Sequence, residues 1–328
     1  MSRPAIACLG AGRMGRGIAV AFAYAGHAVR LLDAKPREPD AFAALAASVA
    51  EEIRTTLETL AQVGLFAPEA VGAIAARVEV VPDEAAARAL ADVPLVFEGV
   101  PEIVALKREV LGRASRLMAP DAILASTTST ILVDDLSGAV ERPERFLNAH
   151  WLNPAYLVPL VELSPGTATE PAATARLKAI LEGIGKVPVV CRASPGFIVP
   201  RIQALAMNEA ARMVEEGVAT PDELDKAIRY GFGFRFAVLG LVEFIDWGGV
   251  DILHHASRYL AEALDDPRHA APPVIARMMA EGRLGIRSGA GFRDFADVDT
   301  DAYRRDRVAA FVAMLRHQGL ARPPADAG

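Results

Sequence analysis

The chain has 328 residues, about twice the usual length of one domain, so two domains are expected. Its 35 Lys and Arg against 41 Asp and Glu give a net charge of −6 with no clustered basic face, which excludes a nucleic-acid partner. Hydrophobic residues at 52% can build sizeable cores, and Cys8 and Cys191 alone make neither a disulfide framework nor a thiolate metal cluster.

Taken in chain order, residues 5–9 form a short apolar run that breaks into Gly10-Ala11-Gly12-Arg13-Met14-Gly15. A helical stretch over 16–25 follows, then Gly26, then a strand over 27–32 that ends in Asp33. Strand, glycine turn, helix, strand and acid form the context that gives a G-x-G-x-x-G meaning. Gly10 permits the tight turn, Gly12 lets backbone approach a pyrophosphate, and Gly15 lets helix pack on strand. Free amides at the helix start and the helix dipole favour the phosphates. Asp33 suits a ribose diol and repels a 2′-phosphate, so the cofactor read here is NAD, although Lys35 and Arg37 stand close by.

Residues 40–74 read as two helices, with Leu45, Val49, Ile53, Leu57 and Leu60 at helical spacing. Strands are expected at 78–81, 94–98, 123–126, 146–149, 158–163 and 187–191, with helices over 106–118 and 172–184 among the gaps. The alternation predicts an α/β domain, a Rossmann-type doubly wound sheet with an added antiparallel strand near its end, over residues 1–192. From 193 to 328 the pattern is all-α. Thr220-Pro221-Asp222-Glu223 reads as a capping box, 282–292 as a glycine-rich loop, and 322–328 as a frayed tail.

His150 is the informative histidine of the six, at the end of an apolar strand in Asn148-Ala149-His150-Trp151-Leu152-Asn153-Pro154. Catalytic groups in open α/β sheets gather at strand ends above the cofactor crevice. Twelve residues on, Glu162 interrupts the apolar run 158–163, where a carboxylate is costly without a partner. His150 is the natural partner, and the carboxylate fixes its tautomer. Ser126-Thr127-Thr128-Ser129-Thr130 follows another strand, so its hydroxyls are expected at the same crevice. His27, His254, His255, His269 and His317 read as structural, and no metal site is expected.

These motifs resemble the L-3-hydroxyacyl-CoA dehydrogenase family across nearly the whole chain. The nucleotide loop, Glu98-Gly99-Val100-Pro101-Glu102 with Lys107, Ser129, His150, Asn153 and Glu162, Pro195 to Val199, and Gly285 to Phe292 all fall in the family's order. The resemblance implies that Gly10, Gly12, Met14, Gly15, Asp33, Glu102, Lys107, Ser129, Asn153 and Arg287 contact the cofactor, with Arg287 where a Lys is usual. It implies His150 as general base, Glu162 as its support, and Ser129 and Asn153 beside the substrate. It also implies a symmetric homodimer through the helical domain, whose apolar stretches 232–239 and 241–247 suit an interface.

Two departures bear on the substrate. Pro200 stands where the family usually has Asn, so that side-chain donor is absent. Relatives place basic residues for the CoA phosphates in the excursion between Asp33 and Val78. Here no lysine lies between Lys35 and Lys107, while Glu51, Glu52 and Glu58 do, beside Arg54 and Arg77. The retained motifs favour NAD-dependent oxidation of a short-chain L-3-hydroxyacyl-CoA. A free 3-hydroxy acid is the alternative, since Asn153 to Glu162 resembles the gulonate- and carnitine-oxidising relatives. A non-catalytic NAD-binding role, as in the family's eye-lens protein, is the third reading. No stretch is long and apolar enough for a membrane span, and Met1-Ser2-Arg3-Pro4 leads into a strand without a cleavable signal, so a cytoplasmic enzyme is expected.

Overall fold

The computed structural model describes residues 3–324. The sheet-bearing part runs β1 (Ile6–Leu9), α1 (Arg13–Tyr24), β2 (Val29–Leu32), α2 (Pro39–Gln62), α3 (Val71–Ala75), β3 (Val78–Val81), α4 (Ala86–Leu90) and β4 (Leu95–Glu98). It continues with α5 (Val104–Leu117), β5 (Ile123–Ser126), α6 (Val133–Ser137), β6 (Phe146–Trp151), β7 (Leu160–Pro165), α7 (Pro171–Gly183) and β8 (Val187–Val190). The helices after it are α8 (Val199–Glu215), α9 (Pro221–Ala227), α10 (Phe234–Val238), α11 (Leu241–Gly248), α12 (Val250–Ala263), α13 (Pro273–Ala280) and α14 (Thr300–His317). Two compact units result, Met1–Met207 and Asn208–Gly328, so the division falls inside α8, while the change from mixed to all-helical structure comes after β8.

In the first unit the strands lie in the order β3-β2-β1-β4-β5-β6-β7-β8. The first six positions are the doubly wound dinucleotide-binding order, parallel throughout. The reversal involves two strands, where the sequence suggests one: β7 is antiparallel to β6, and β8 runs parallel to β7. A short return between β6 and β7 forces antiparallel pairing, whereas α7 carries the chain over to a parallel β8. Strand β6 extends through Trp151, two residues past the expected end, which puts His150 inside the ladder opposite Glu162.

Alternation along the strands divides the core into two faces. Ile6, Cys8, Leu31, Phe97 and Trp151 pack with α1, α2 and α7 on one side. Ala7, Leu9, Leu32, Val96 and Leu124 pack with α4 and α5 on the other. Val49, Ile53, Leu57 and Leu60 are the buried stripe of α2, with Leu45 partly covered, as the helical spacing requires. Cys8 is buried, Cys191 is partly exposed, and the two are not bonded to each other.

The second unit has a small core of Val250, Ile275 and Met278. Its glycine-rich loop is tied to one buried carboxylate: Asp246 accepts from Phe292 N at 2.7 Å and Arg293 N at 3.0 Å. A Cβ at Gly285, which has φ +97°, would lie 2.2 Å from the Asp246 carbonyl oxygen, so only glycine fits there. Thr220 caps α9 by accepting from Glu223 N at 3.3 Å, but Glu223 turns to Lys226 at 2.6 Å, so only half of the expected capping box forms. Ile228, Tyr230, Phe232, Val242, Ile252, Tyr259 and Leu260 are exposed on this unit. Arg322 to Pro324 carry no regular structure, and the remainder of the expected tail, like Met1-Ser2, lies outside the described residues.

Candidate active site

The turn after β1 is built for a phosphate. Gly10 has φ +101°, and a Cβ there would approach Gly99 O to 3.0 Å. A Cβ on Gly15 would lie 2.0 Å from Gly10 O, so this glycine lets α1 pack on the turn. Gly12 faces open space, with nothing within 4 Å of a Cβ, and no side chain caps the first amides of α1. Those donors are left for an anion. Met14 packs part of its side chain against the core, so what it offers a ligand is its backbone. A cavity of about 230 Å³ runs from Gly10 and Gly12 to Asp33 and Gly99. These features fit the adenosine and pyrophosphate of a dinucleotide. Arg37 Nε contacts Asp33 Oδ2 in this cavity, so the acid expected at the ribose diol is already bonded to a cation.

A second carboxylate cluster lies at the ends of β4 and β5. Glu98, fully buried, accepts from Val100 N at 2.7 Å, Lys107 Nζ at 2.8 Å and Ser126 Oγ at 2.6 Å. Lys107 is also buried, and its ammonium bonds both Glu98 oxygens and Val100 O, with Glu102 at 3.4 Å. Its donors face the protein, so Lys107 reaches the crevice through Glu102. One Glu102 oxygen takes hydrogen bonds from the Thr128 hydroxyl, Ser129 N at 3.0 Å, and Thr130 N at 3.1 Å and Oγ1 at 3.0 Å. Burial alone would raise this carboxyl, but the Thr128 hydroxyl and the Lys107 ammonium hold it below the usual carboxylate range. The anchor is therefore in place above the ordinary carboxylate range and lost as pH falls through the lowered value. Its effect is to hold the 128–130 turn with the Ser129 side chain exposed.

His150 and Glu162 are cross-strand partners in the β6–β7 ladder, so their side chains share one face. Glu162 is fully buried and His150 is 4% exposed. Glu162 Oε2 lies 2.7 Å from His150 Nδ1, which assigns the proton to Nδ1 and leaves the Nε2 lone pair, without a protein partner among the described residues, for another molecule. The other oxygen, Oε1, accepts from Ile198 N at 2.9 Å and Val199 N at 2.8 Å at the start of α8. Phe197 stacks on the His150 ring with centroids 5.3 Å apart and planes 12° apart. The sequence marks Pro195-Gly196-Phe197-Ile198-Val199 only as a motif; the convergence of two amides on Glu162 and of a ring on His150 had no signal in residue types or spacing.

Asn153 is exposed on the loop after β6 and lines a cavity of about 370 Å³ with Arg13, Arg16, Glu52, Thr56 and Tyr156. Pro200 is the second residue of α8, where a missing N–H costs nothing. Arg287 belongs to the second unit, half exposed and paired with Asp251 at 2.6 Å. Lys186 gives its ammonium to Ala155 O and Val158 O, both at 2.7 Å, and burial lowers its pKa. It braces the β6–β7 loop, which leaves no free lysine base there. His27 bonds Pro4 O through Nδ1 at 2.9 Å, His254 and His255 pack edge to face, and no metal-ligating group occurs among the described residues.

The family description "3-hydroxyacyl-CoA dehydrogenase, NAD binding domain" matches residues 5–194, and that of the same enzyme's C-terminal domain matches residues 196–295. The chain is 32% identical over 313 residues to 5-formyl-3-hydroxy-2-methylpyridine 4-carboxylate 5-dehydrogenase of Mesorhizobium japonicum, covering 95% of this chain and 97% of that one. It is 38% identical over 257 residues to L-carnitine dehydrogenase of Burkholderia mallei, covering 76% and 79%. The crystal structure of a 3-hydroxyacyl-CoA dehydrogenase from Archaeoglobus fulgidus superposes with a TM-score of 0.73 at 30% identity, covering 97% of this chain and all of that one. No described helix is long and apolar enough to cross a membrane.

Proposed function

The chain belongs to the 3-hydroxyacyl-CoA dehydrogenase family, an NAD-dependent oxidoreductase family, and from that premise we propose that it oxidises a small free 3-hydroxy acid at C3, with His150 as general base. The observation that carries the substrate reading is the engagement of the arginines in the excursion after β2. Arg54 is spent on Glu51 at 2.7 Å and Glu58 at 2.6 Å, and Arg77 donates to Ala23 O at 3.0 Å. Helix α2 carries Asp40, Glu51, Glu52 and Glu58 against Arg54 alone, a net negative charge that disfavours the phosphates of CoA. The retained motifs by themselves favour the thioester; the arginine contacts move the reading to the free acid. Relatives that act on a pyridine carboxylate and on carnitine support it.

In the proposed reaction Nε2 of His150 takes the proton from the substrate's 3-hydroxyl. NAD, when bound, supplies the hydride acceptor. Glu162 holds the ring through Nδ1 and stabilises the imidazolium that forms. Ser129 Oγ donates to the reacting oxygen and Asn153 positions the acid. Gly10, Gly12, Met14, Gly15, Asp33 and Glu102 form the cofactor's cradle in this reading, and Lys107 supports it through Glu102. The exposed apolar residues of that domain are the surface of a homodimer, and the enzyme is cytoplasmic. A monomeric mass by light scattering at micromolar concentration would remove the dimer.

A substrate panel tests the central reading. Free 3-hydroxy acids such as gulonate and carnitine are expected to exceed (S)-3-hydroxybutyryl-CoA in kcat/KM by tenfold or more, and Pro200→Asn is expected to gain nothing on the thioester. Faster turnover of the thioester, with a roughly five- to tenfold gain in Pro200→Asn, would restore the CoA reading; such a gain is what one hydrogen bond is worth.

A further inference from the structure

Phe197 has φ +44°, a left-handed conformation that an aromatic residue adopts at a cost, directly after Gly196 at φ +75°. Strained residues of this kind persist only where their surroundings over-determine them. Three sets of contacts do so here. Phe197 N donates to Ser194 O at 3.0 Å and Arg201 N to Gly196 O at 3.0 Å, which close the turn. The amides of Ile198 and Val199, carried round by the two left-handed residues, converge on a single oxygen of Glu162. The Phe197 ring, 5% exposed, lies flat on His150.

We propose that Phe197 is a positioning residue for the base, acting on His150 from its face and on Glu162 through its own backbone turn. The inference rests on His150 being the base. A hydrogen bond at Nδ1 fixes one edge of the imidazole but leaves the ring free to rock about that contact. A flat apolar surface against the ring removes the rocking and excludes water from that face, so Nε2 keeps one direction. The same residue sets the two amides that hold Glu162, so ring plane and carboxylate are fixed together. A displacement of about 1 Å in a catalytic group can cost on the order of 10²-fold in rate.

The test compares Phe197→Leu, which keeps bulk and burial but loses the flat face, with Phe197→Tyr, which keeps it. For each, kcat and KM are measured with an accepted hydroxy acid, NADH affinity by nucleotide fluorescence, and the unfolding midpoint by calorimetry. The expected result for Phe197→Leu is a fall in kcat of about ten- to hundredfold, with KM, NADH affinity and midpoint close to wild type, while Phe197→Tyr recovers most of the rate. A wild-type kcat in Phe197→Leu overturns the proposal. So does a loss shared equally with NADH affinity and midpoint, or a Tyr variant as slow as the Leu variant. Turnover by His150→Gln at a near-normal rate would instead remove the base assignment itself. An inert His150→Gln beside an unimpaired Phe197→Leu removes the positioning role alone.

Discussion

Two carboxylates, Glu98 and Glu162, are fully buried at neighbouring regions of one sheet, and each meets one ionisable partner at hydrogen-bond distance. Around Glu98 every strong donor is used: Lys107 spends its ammonium on Glu98 and Val100 O, and Ser126 and Val100 N complete the shell. Around Glu162 the shell is equally complete, but the partner is a histidine with a second nitrogen that no described residue touches. A saturated buried pair stabilises a turn. A buried pair with one open lone pair has a proton acceptor to offer, already oriented. Burial is alike in the two regions; the open atom separates scaffold from chemistry.

The largest effect is expected at His150. His150→Gln is expected to lower kcat by roughly 10²–10⁴-fold, the usual cost of losing a general base, while NADH fluorescence titration shows retained cofactor binding. A near-normal rate would contradict it. On the other side, Lys107→Met leaves Glu98 buried without its cation. Breaking one partner of such a pair costs about 3–5 kcal/mol, so urea unfolding should show a large loss of stability. Retention of the wild-type midpoint would mean that the pair does not stabilise the 98–107 region.

A third carboxylate differs from both, because Asp33 is paired but lines the open cavity proposed for the cofactor. Asp33→Ser should weaken NAD and improve NADP relative to it by about tenfold, the worth of a hydrogen bond to a charged group, since Arg37 is then released towards a 2′-phosphate. Adding Arg37→Ala should remove that gain. Unchanged cofactor preference in the single variant would exclude Asp33 from the ribose site.

Much of this was legible in the sequence, and for identifiable reasons. The glycine turn, the Asp33 position and the strand–helix alternation are local patterns, and all recur in the structure. The pairing of His150 with Glu162 was inferable because a charge inside an apolar strand demands a partner, and the short β6–β7 return puts one opposite it. The reversal of two strands at the sheet edge was only half legible, since direction depends on how a connection crosses and not on composition. The saturation of Lys107 and the left-handed Phe197 were not legible. Both depend on where backbone atoms from distant segments converge, which residue spacing does not encode.

A double-mutant cycle asks whether His150 and Glu162 act as one unit. Residues that work as a unit are strongly non-additive in their effects on rate. Glu162→Gln alone should lower kcat on the order of 10²-fold, less than His150→Gln, because it orients the base without transferring the proton. Introduced into His150→Gln, the same substitution should cost almost nothing further in single-turnover NADH formation. Losses that multiply in the double variant would show two independent contributions and contradict the shared role assigned to the pair.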